Sequence, residues 1–291
     1  MKRPNAITIT GVAMLPTPPM LHFPSPYVRP GVPPTLARRI QMPDGAQIAT
    51  FVYGQLGGCA APVLFLHGNG EEHGIFGPAI DAVVAQGLAA VAIDSRAQGK
   101  STRGCERLSY DLLADDALRV LDALGVGRVH VVGFSDGAIE GLLLARDHAD
   151  RVASLLCIGA NLSPEGVVDD DFDIEGIALA NEAWAAWCDE CQGDVDPSLL
   201  SPTPEEARAT AQLMRLMLEE PHIEAASLRA ISCPTTVMVG EEDCIDDFET
   251  IAIYQAIPGA RLVVVPFCGH VIPKHAPEDV NRELLDLLSR A

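Results

Sequence analysis

Six short, nearly uninterrupted apolar runs recur along the chain, at 62–66, 89–93, 129–132, 155–158, 235–239 and 262–265. Runs of Val, Ile, Leu and Ala without polar alternation predict strands buried on both faces. Ahead of them, Arg39-Ile40-Gln41-Met42, a Pro43-Asp44-Gly45 turn and Gln47 to Tyr53 predict a hairpin at a sheet edge. Stretches of helical period fall between the runs, notably Tyr110 to Leu124, with Leu113, Val120 and Leu121 on one stripe, and Ala138 to Ala149. Strand and helix in alternation predict an α/β fold with a mostly parallel sheet and helices on both faces.

Two segments do not follow that alternation. Residues 1–34 hold nine prolines and no helical period, which predicts an extended arm. Residues 161–228, after the sixth strand, carry 16 Asp and Glu against two Arg and read as an acidic helical cap. The core is then 35–160 together with 229–291. The arm and hairpin start, residues 1–40, contain five Lys or Arg and no acid, so opposite charge would let the arm lie across the cap.

A formal charge of −20 argues against nucleic acid and against anionic membrane surfaces as partners. No run approaches the roughly 18 apolar residues of a membrane span, and the residues after Lys2 and Arg3 lack a signal-peptide pattern. Eight cysteines could make four disulfides, but a chain of this size with its own core and no export pattern is expected to be cytoplasmic with reduced thiols. Cys188-Asp189-Glu190-Cys191 is a lone C-x-x-C with no second pair, so no metal and no cofactor are assigned. Oligomeric state is not encoded legibly, and a homo-oligomer stays open.

Candidate chemistry gathers where strands end, which is where open sheets bind ligands. Gly133-Phe134-Ser135-Asp136-Gly137 places a serine between small residues at a strand-to-helix turn. Such a turn exposes the hydroxyl and presents the next N–H at a helix start. A serine hydroxyl needs a base, and the base needs an orienting carboxylate. Asp243, three residues beyond Gly240, and His270 after Gly269 meet that need, ahead of Glu241, Glu242, Asp246 and Asp247 as acids and of His73, His222 and His275 as bases. The backbone N–H groups of Asp136 and Asn69, the latter in the His67-Gly68-Asn69-Gly70 loop, are the candidate oxyanion donors. His67 is expected to hold its loop, and Arg96 to form an internal ion pair.

Together these stretches, with Asp94-Ser95-Arg96-Ala97-Gln98-Gly99-Lys100-Ser101, resemble the α/β-hydrolase fold over residues 35–291. They are similar to bacterial and biphenyl hydrolase-like serine esterases with a Ser-Asp-Gly elbow. Ala97 and Ala138 depart from that pattern, standing where glycine is frequent. The resemblance implies a mostly parallel sheet with a cap inserted after the sixth strand, and a covalent route in which Ser135 attacks a carbonyl, His270 moves the proton and Asp243 orients His270.

The function expected is hydrolysis of a small carboxylic ester through an acyl-enzyme, with a small-molecule ester as partner. An amide, thioester or C–C hydrolase, a perhydrolase, and a hydrolase-fold receptor with little turnover would use the same residues. Phe134, Asp136, Trp184, Trp187, Met214 and Met217 are candidates for lining the substrate pocket. The acidic cap reads as a solvated, solubilising face, and in the alternative it and Asp136 would favour neutral or amine-bearing esters over anionic ones.

Overall fold

The computed structural model describes residues 17–19, 26–168, 172–190 and 200–291. Its centre is an eight-stranded sheet: β1 (Leu36–Gln41), β2 (Gln47–Tyr53), β3 (Val63–Leu66), β4 (Ala90–Ile93), β5 (Val129–Phe134), β6 (Val152–Ile158), β7 (Thr235–Gly240) and β8 (Arg261–Val265). The spatial order is β1-β2-β4-β3-β5-β6-β7-β8. β1 and β2 pair as the expected hairpin, β2 meets β4 antiparallel, and every other neighbour is parallel. After β4 the chain returns to the other side of β3, so the order reverses at the β3/β5 junction. A crevice opens at such a junction beyond the carboxyl ends of the strands.

Alternating side chains divide the interior into two layers. Leu64, Val131 and Leu155 belong to one cluster with Leu113 and Leu121 of α2 (Tyr110–Ala123) and Leu142 of α3 (Asp136–Asp147). Phe65, Val132 and Leu156 belong to the other, with Ile80 and Val83 of α1 (Gly77–Ala85) and Leu284 of α8 (Pro277–Arg290). Each fully buried Leu or Ile contributes roughly 1.5–3 kcal/mol relative to exposure, which is why uninterrupted apolar runs settle at the centre. β6 starts three residues before its apolar run because Ser154, though polar, is buried with its hydroxyl 2.8 Å from His130 Nδ1.

Between β6 and β7 lie α4 (Ile174–Glu190) and α5 (Pro204–Glu219), packed against one another. Thr203 starts α5 with a reciprocal capping box to Glu206. Across the pair, Arg215 makes two hydrogen bonds to Glu182, at 2.8 and 2.9 Å. Residues 169–171 and 191–199, including Cys191 of the C-x-x-C, lie outside the described residues. β7 is followed by α6 (Asp247–Ala256), and β8 by the short α7 (Ile272–His275). Among the described residues, no helix is long and apolar enough to cross a membrane.

Most of the Pro-rich arm, residues 1–16 and 20–25, also falls outside the described residues. The part nearest the core does not lie across the acidic insert. The Gly31 N–H donates to Asp81 of α1 at 2.8 Å, and the Tyr27 hydroxyl donates to Glu72. Backbone complementarity explains the choice: a Cβ on Gly77 would come within 2.2 Å of Val28 O, so the arm seats directly against α1.

Arg96 forms the internal ion pair expected of it. Its guanidinium is buried, donating to both oxygens of Asp116 at 2.5 and 3.0 Å and to Asp44 at 2.5 Å. The pairing joins the hairpin turn, the loop after β4 and α2.

Candidate active site

β5 ends at Phe134 and α3 begins at Asp136, leaving Ser135 alone to turn the chain, at φ 54° and ψ −119°. Left-handed backbone at a non-glycine residue costs on the order of 1–3 kcal/mol. Close approach explains the flanking glycines: a Cβ on Gly133 would lie 2.1 Å from Gly137 O, and one on Gly137 would lie 2.1 Å from Leu66 O.

Ser135 Oγ lies 2.9 Å from His270 Nε2, and His270 Nδ1 lies 2.7 Å from Asp243 Oδ1. The three residues come from the ends of β5, β7 and β8. Asp243 is fixed in turn by the N–H groups of Ile245 and Gly240, at 3.1 and 3.2 Å. Burial works against its ionisation, but the hydrogen bond and charge of His270 and those N–H groups outweigh it, holding the carboxyl below its ordinary range. For His270, burial favours the neutral ring, and the Asp243 carboxylate more than offsets this, so its conjugate acid is held above the usual value.

The other acids and bases are placed elsewhere. Glu241 accepts the Phe267 N–H, Asp246 caps α6 by accepting the Phe248 N–H, and Glu242 and Asp247 are exposed. His222 and His275 are exposed, whereas His73 is buried against Asp94, 2.7 Å away. His67 Nε2 accepts the Ser95 N–H at 2.9 Å, which puts its proton on Nδ1, 2.8 Å from Gly68 O. It ties one loop to the next, as expected.

The loop after β3 runs against the elbow, where a Cβ on Gly68 would meet Ser135 Cβ at 2.9 Å. Asp136 is the first residue of α3, so its N–H lacks an intrahelical acceptor and faces the positive end of the helix dipole. Its side chain is buried. Oδ1 accepts the Tyr110 hydroxyl at 2.8 Å and Oδ2 accepts Asn69 Nδ2 at 3.0 Å. Burial pushes the Asp136 carboxyl up to about 6, against the pull of those two donors and of His270.

A cavity of about 220 Å³ opens on Ser135 and His270. Phe134, Asp136 and Met217 line it, as the sequence pattern predicts. Trp184, Trp187 and Met214 do not. The two indoles pack on each other at 5.1 Å, with Trp184 Nε1 donating to Pro202 O, and Met214 is wholly buried in the main apolar cluster. Helical spacing is the same for a core stripe as for a pocket wall, so period alone could not separate them. The cavity also takes in Tyr110, Asn161, Glu220, Cys244 and Ile245, none of them predicted. Only Cys244 and Ile245 carry a signal in the sequence, as the two residues that follow Asp243. Glu71, Asp136 and Glu220 bring three carboxylates to this lining, and no Lys or Arg is among the described residues that form it.

Among the described residues one group has metal-ligand chemistry. Donor atoms of Asp243, Cys244 and His270 lie within 4.8 Å of one another. Two of the three are already joined by the His270–Asp243 hydrogen bond, so a cation held there would compete with that bond.

The chain is 26% identical over 249 residues to a Caulobacter sp. (strain K31) protein named "Putative carbamate hydrolase RutD", covering 78% of this chain and 90% of that one. It is 28% identical over 276 residues, 85% and 93% of the two chains, to a 2-hydroxy-6-oxononadienedioate/2-hydroxy-6-oxononatrienedioate hydrolase of Burkholderia vietnamiensis. A thermophilic esterase from Thermogutta terrifontis superposes with TM-score 0.67 at 23% identity, covering 88% of this chain and 99% of its own. A bromoperoxidase from Bacillus anthracis does so with TM-score 0.70 at 22% identity, covering 87% and 100%; at such identities these two show the fold alone. The profile of the alpha/beta hydrolase family matches residues 63–283, from β3 into α8, and with the sheet order and strand-end residues above it makes this chain a member of that family, a hydrolase.

Proposed function

We propose that the protein is a serine hydrolase that cleaves a small, uncharged or amine-bearing carboxylic ester through an acyl-enzyme. The observation that carries this reading is the unbroken chain from Ser135 Oγ through His270 to Asp243, opening on the 220 Å³ cavity. Ser135 attacks the carbonyl while His270 Nε2 takes its proton, and Asp243 fixes the ring and stabilises the imidazolium. Negative charge on the carbonyl oxygen is met by the Asp136 N–H and an N–H from the loop at Asn69, a pair in which each donor is worth roughly 3–4 kcal/mol. The imidazolium returns its proton to the leaving alcohol, and water, activated by the same ring, releases the acid. Residues 161–228, with Met217 and Glu220 on the cavity, act as a cap over the bond to be cleaved.

The cavity's size favours small substrates. The Glu71 and Glu220 carboxylates on its wall and the lack of a lining cation disfavour anionic ones. A dicarboxylate of the kind named for the Burkholderia relative would enter with no positive partner. A carbamate, the group in the Caulobacter relative's name, presents the same carbonyl geometry as an ester and belongs in the test. We expect burst hydrolysis of p-nitrophenyl acetate, abolished by Ser135→Ala, with weaker turnover of the corresponding hemisuccinate ester. Saturable ester binding with negligible turnover would instead favour a receptor.

A further inference from the structure

Asp136 stands next to the nucleophile, yet its carboxylate is turned to the protein. One oxygen takes the Tyr110 hydroxyl of α2 and the other takes Asn69 Nδ2 of the loop after β3. The same Asn69 nitrogen donates to Leu213 O of α5, at 3.2 Å. Both partners of that nitrogen are acceptors, which settles the orientation of the amide. Tyr110 is itself tied to the end of the insert, its N–H donating to Glu220 at 3.1 Å. Two donors therefore converge on one buried carboxylate, and each also bridges to the insert.

We propose that Asp136 is a positioning residue: its carboxylate clamps Asn69, and so holds the oxyanion loop in register with the elbow and with α5. The proposal rests on Ser135 being the nucleophile. A loop that supplies one oxyanion donor must be held to a few tenths of an ångström, since preorganised donors act without moving during the reaction. Backbone N–H groups cannot be placed by their own side chains, so the Asn69 amide is the handle and Asp136 the grip. The substitution Asp136→Leu is close in shape and removes the acceptor for both donors, the Asn69 NH2 and the Tyr110 hydroxyl. Asp136→Asn is the milder change, since its one oxygen can still accept from Asn69 while its NH2 donates to the Tyr110 hydroxyl.

The decisive readout does not depend on knowing the substrate. A fluorophosphonate forms a bond from Ser135 Oγ to phosphorus with loss of fluoride, through a charged intermediate held by the same oxyanion donors. Intact-protein mass spectrometry follows the labelling rate. Asp136→Leu, folded at the assay temperature, is expected to label about 10-fold or more slowly than the parent, and on p-nitrophenyl acetate to lose kcat with little change in KM. Asp136→Asn, which can keep one oxygen on Asn69 Nδ2 and leaves the Asn69–Leu213 bond intact, is expected to retain most of the rate. A parent protein that does not label at Ser135 would overturn the serine-hydrolase reading itself. Equal labelling rates in parent and Asp136→Leu, or a loss confined to KM, would overturn the positioning role alone.

Discussion

His270 Nδ1 and Asp243 Oδ1 are 2.7 Å apart, and this contact decides both the tautomer and the basicity of the ring that meets Ser135. With the Nδ1 proton engaged by Asp243, Nε2 faces the serine as an acceptor. The imidazolium is stabilised more than the neutral ring, which raises the His270 pKa despite burial.

That sign sets a pH profile. The base must be neutral, so kcat/KM falls as pH drops through the His270 pKa. Asp243→Asn removes the negative partner and moves the acid-limb midpoint to lower pH. It also costs roughly 10⁴ in kcat, because the amide favours the wrong tautomer. A pH–rate profile in which the two midpoints coincide would remove Asp243 from its role.

The strands and the elbow were legible because each leaves a local mark. Uninterrupted apolar runs gave six of the eight strands, and the spacing of Gly133, Ser135 and Gly137 carries its own steric reason. Asp243 and His270 were legible for a different reason, since each directly follows a strand with a glycine close by. The Asp136–Asn69 and Tyr110–Asp136 contacts were not. They join positions 67 and 26 residues apart, and any polar residue at those places would have read equally well as a solvated loop. Trp184 and Met214 fail in the opposite sense, since an apolar helix stripe records burial but not what buries it.

Arg96 is the hinge of a buried charge network, and removing it strands two carboxylates. Arg96→Met should destabilise the fold by about 3–5 kcal/mol, the scale for breaking a buried pair from one side. Asp44 and Asp116 would each lose a hydrogen-bonded cation while remaining buried. Urea denaturation gives the value, and a loss below about 1 kcal/mol would mean that solvent reaches the network.

Ala97 shows why glycine is frequent at its position, with φ at +61°. Left-handed backbone costs a Cβ-bearing residue roughly 1–2 kcal/mol, and glycine gives back part of that through the entropy of the unfolded chain. Ala97 is half-buried against the core, so its methyl is not idle. Ala97→Gly is expected to gain up to about 1 kcal/mol, read as a higher urea midpoint with unchanged slope. A lower midpoint would show that the methyl contact outweighs the strain.

Glu140 lies one turn beyond Asp136 on α3 and has no exposed surface. Burial, then the negative charges of Asp136 and Asp116, push its carboxyl well above the ordinary range, and the Ser95 hydroxyl offsets only part of this. The folded protein therefore holds a proton that the unfolded chain releases near its ordinary pKa of about 4.3. Wherever the native state binds more protons, stability falls as pH rises. The contribution of Glu140 is thus fully present below about pH 4 and declines upward through neutrality. Glu140→Gln keeps the shape, carries no proton to lose, and should melt close to the parent at pH 4.5 but progressively higher than it from pH 6 to pH 8. Thermal melts across that range are sufficient. A Tm difference that stays constant with pH would mean that Glu140 ionises as readily inside the fold as outside it.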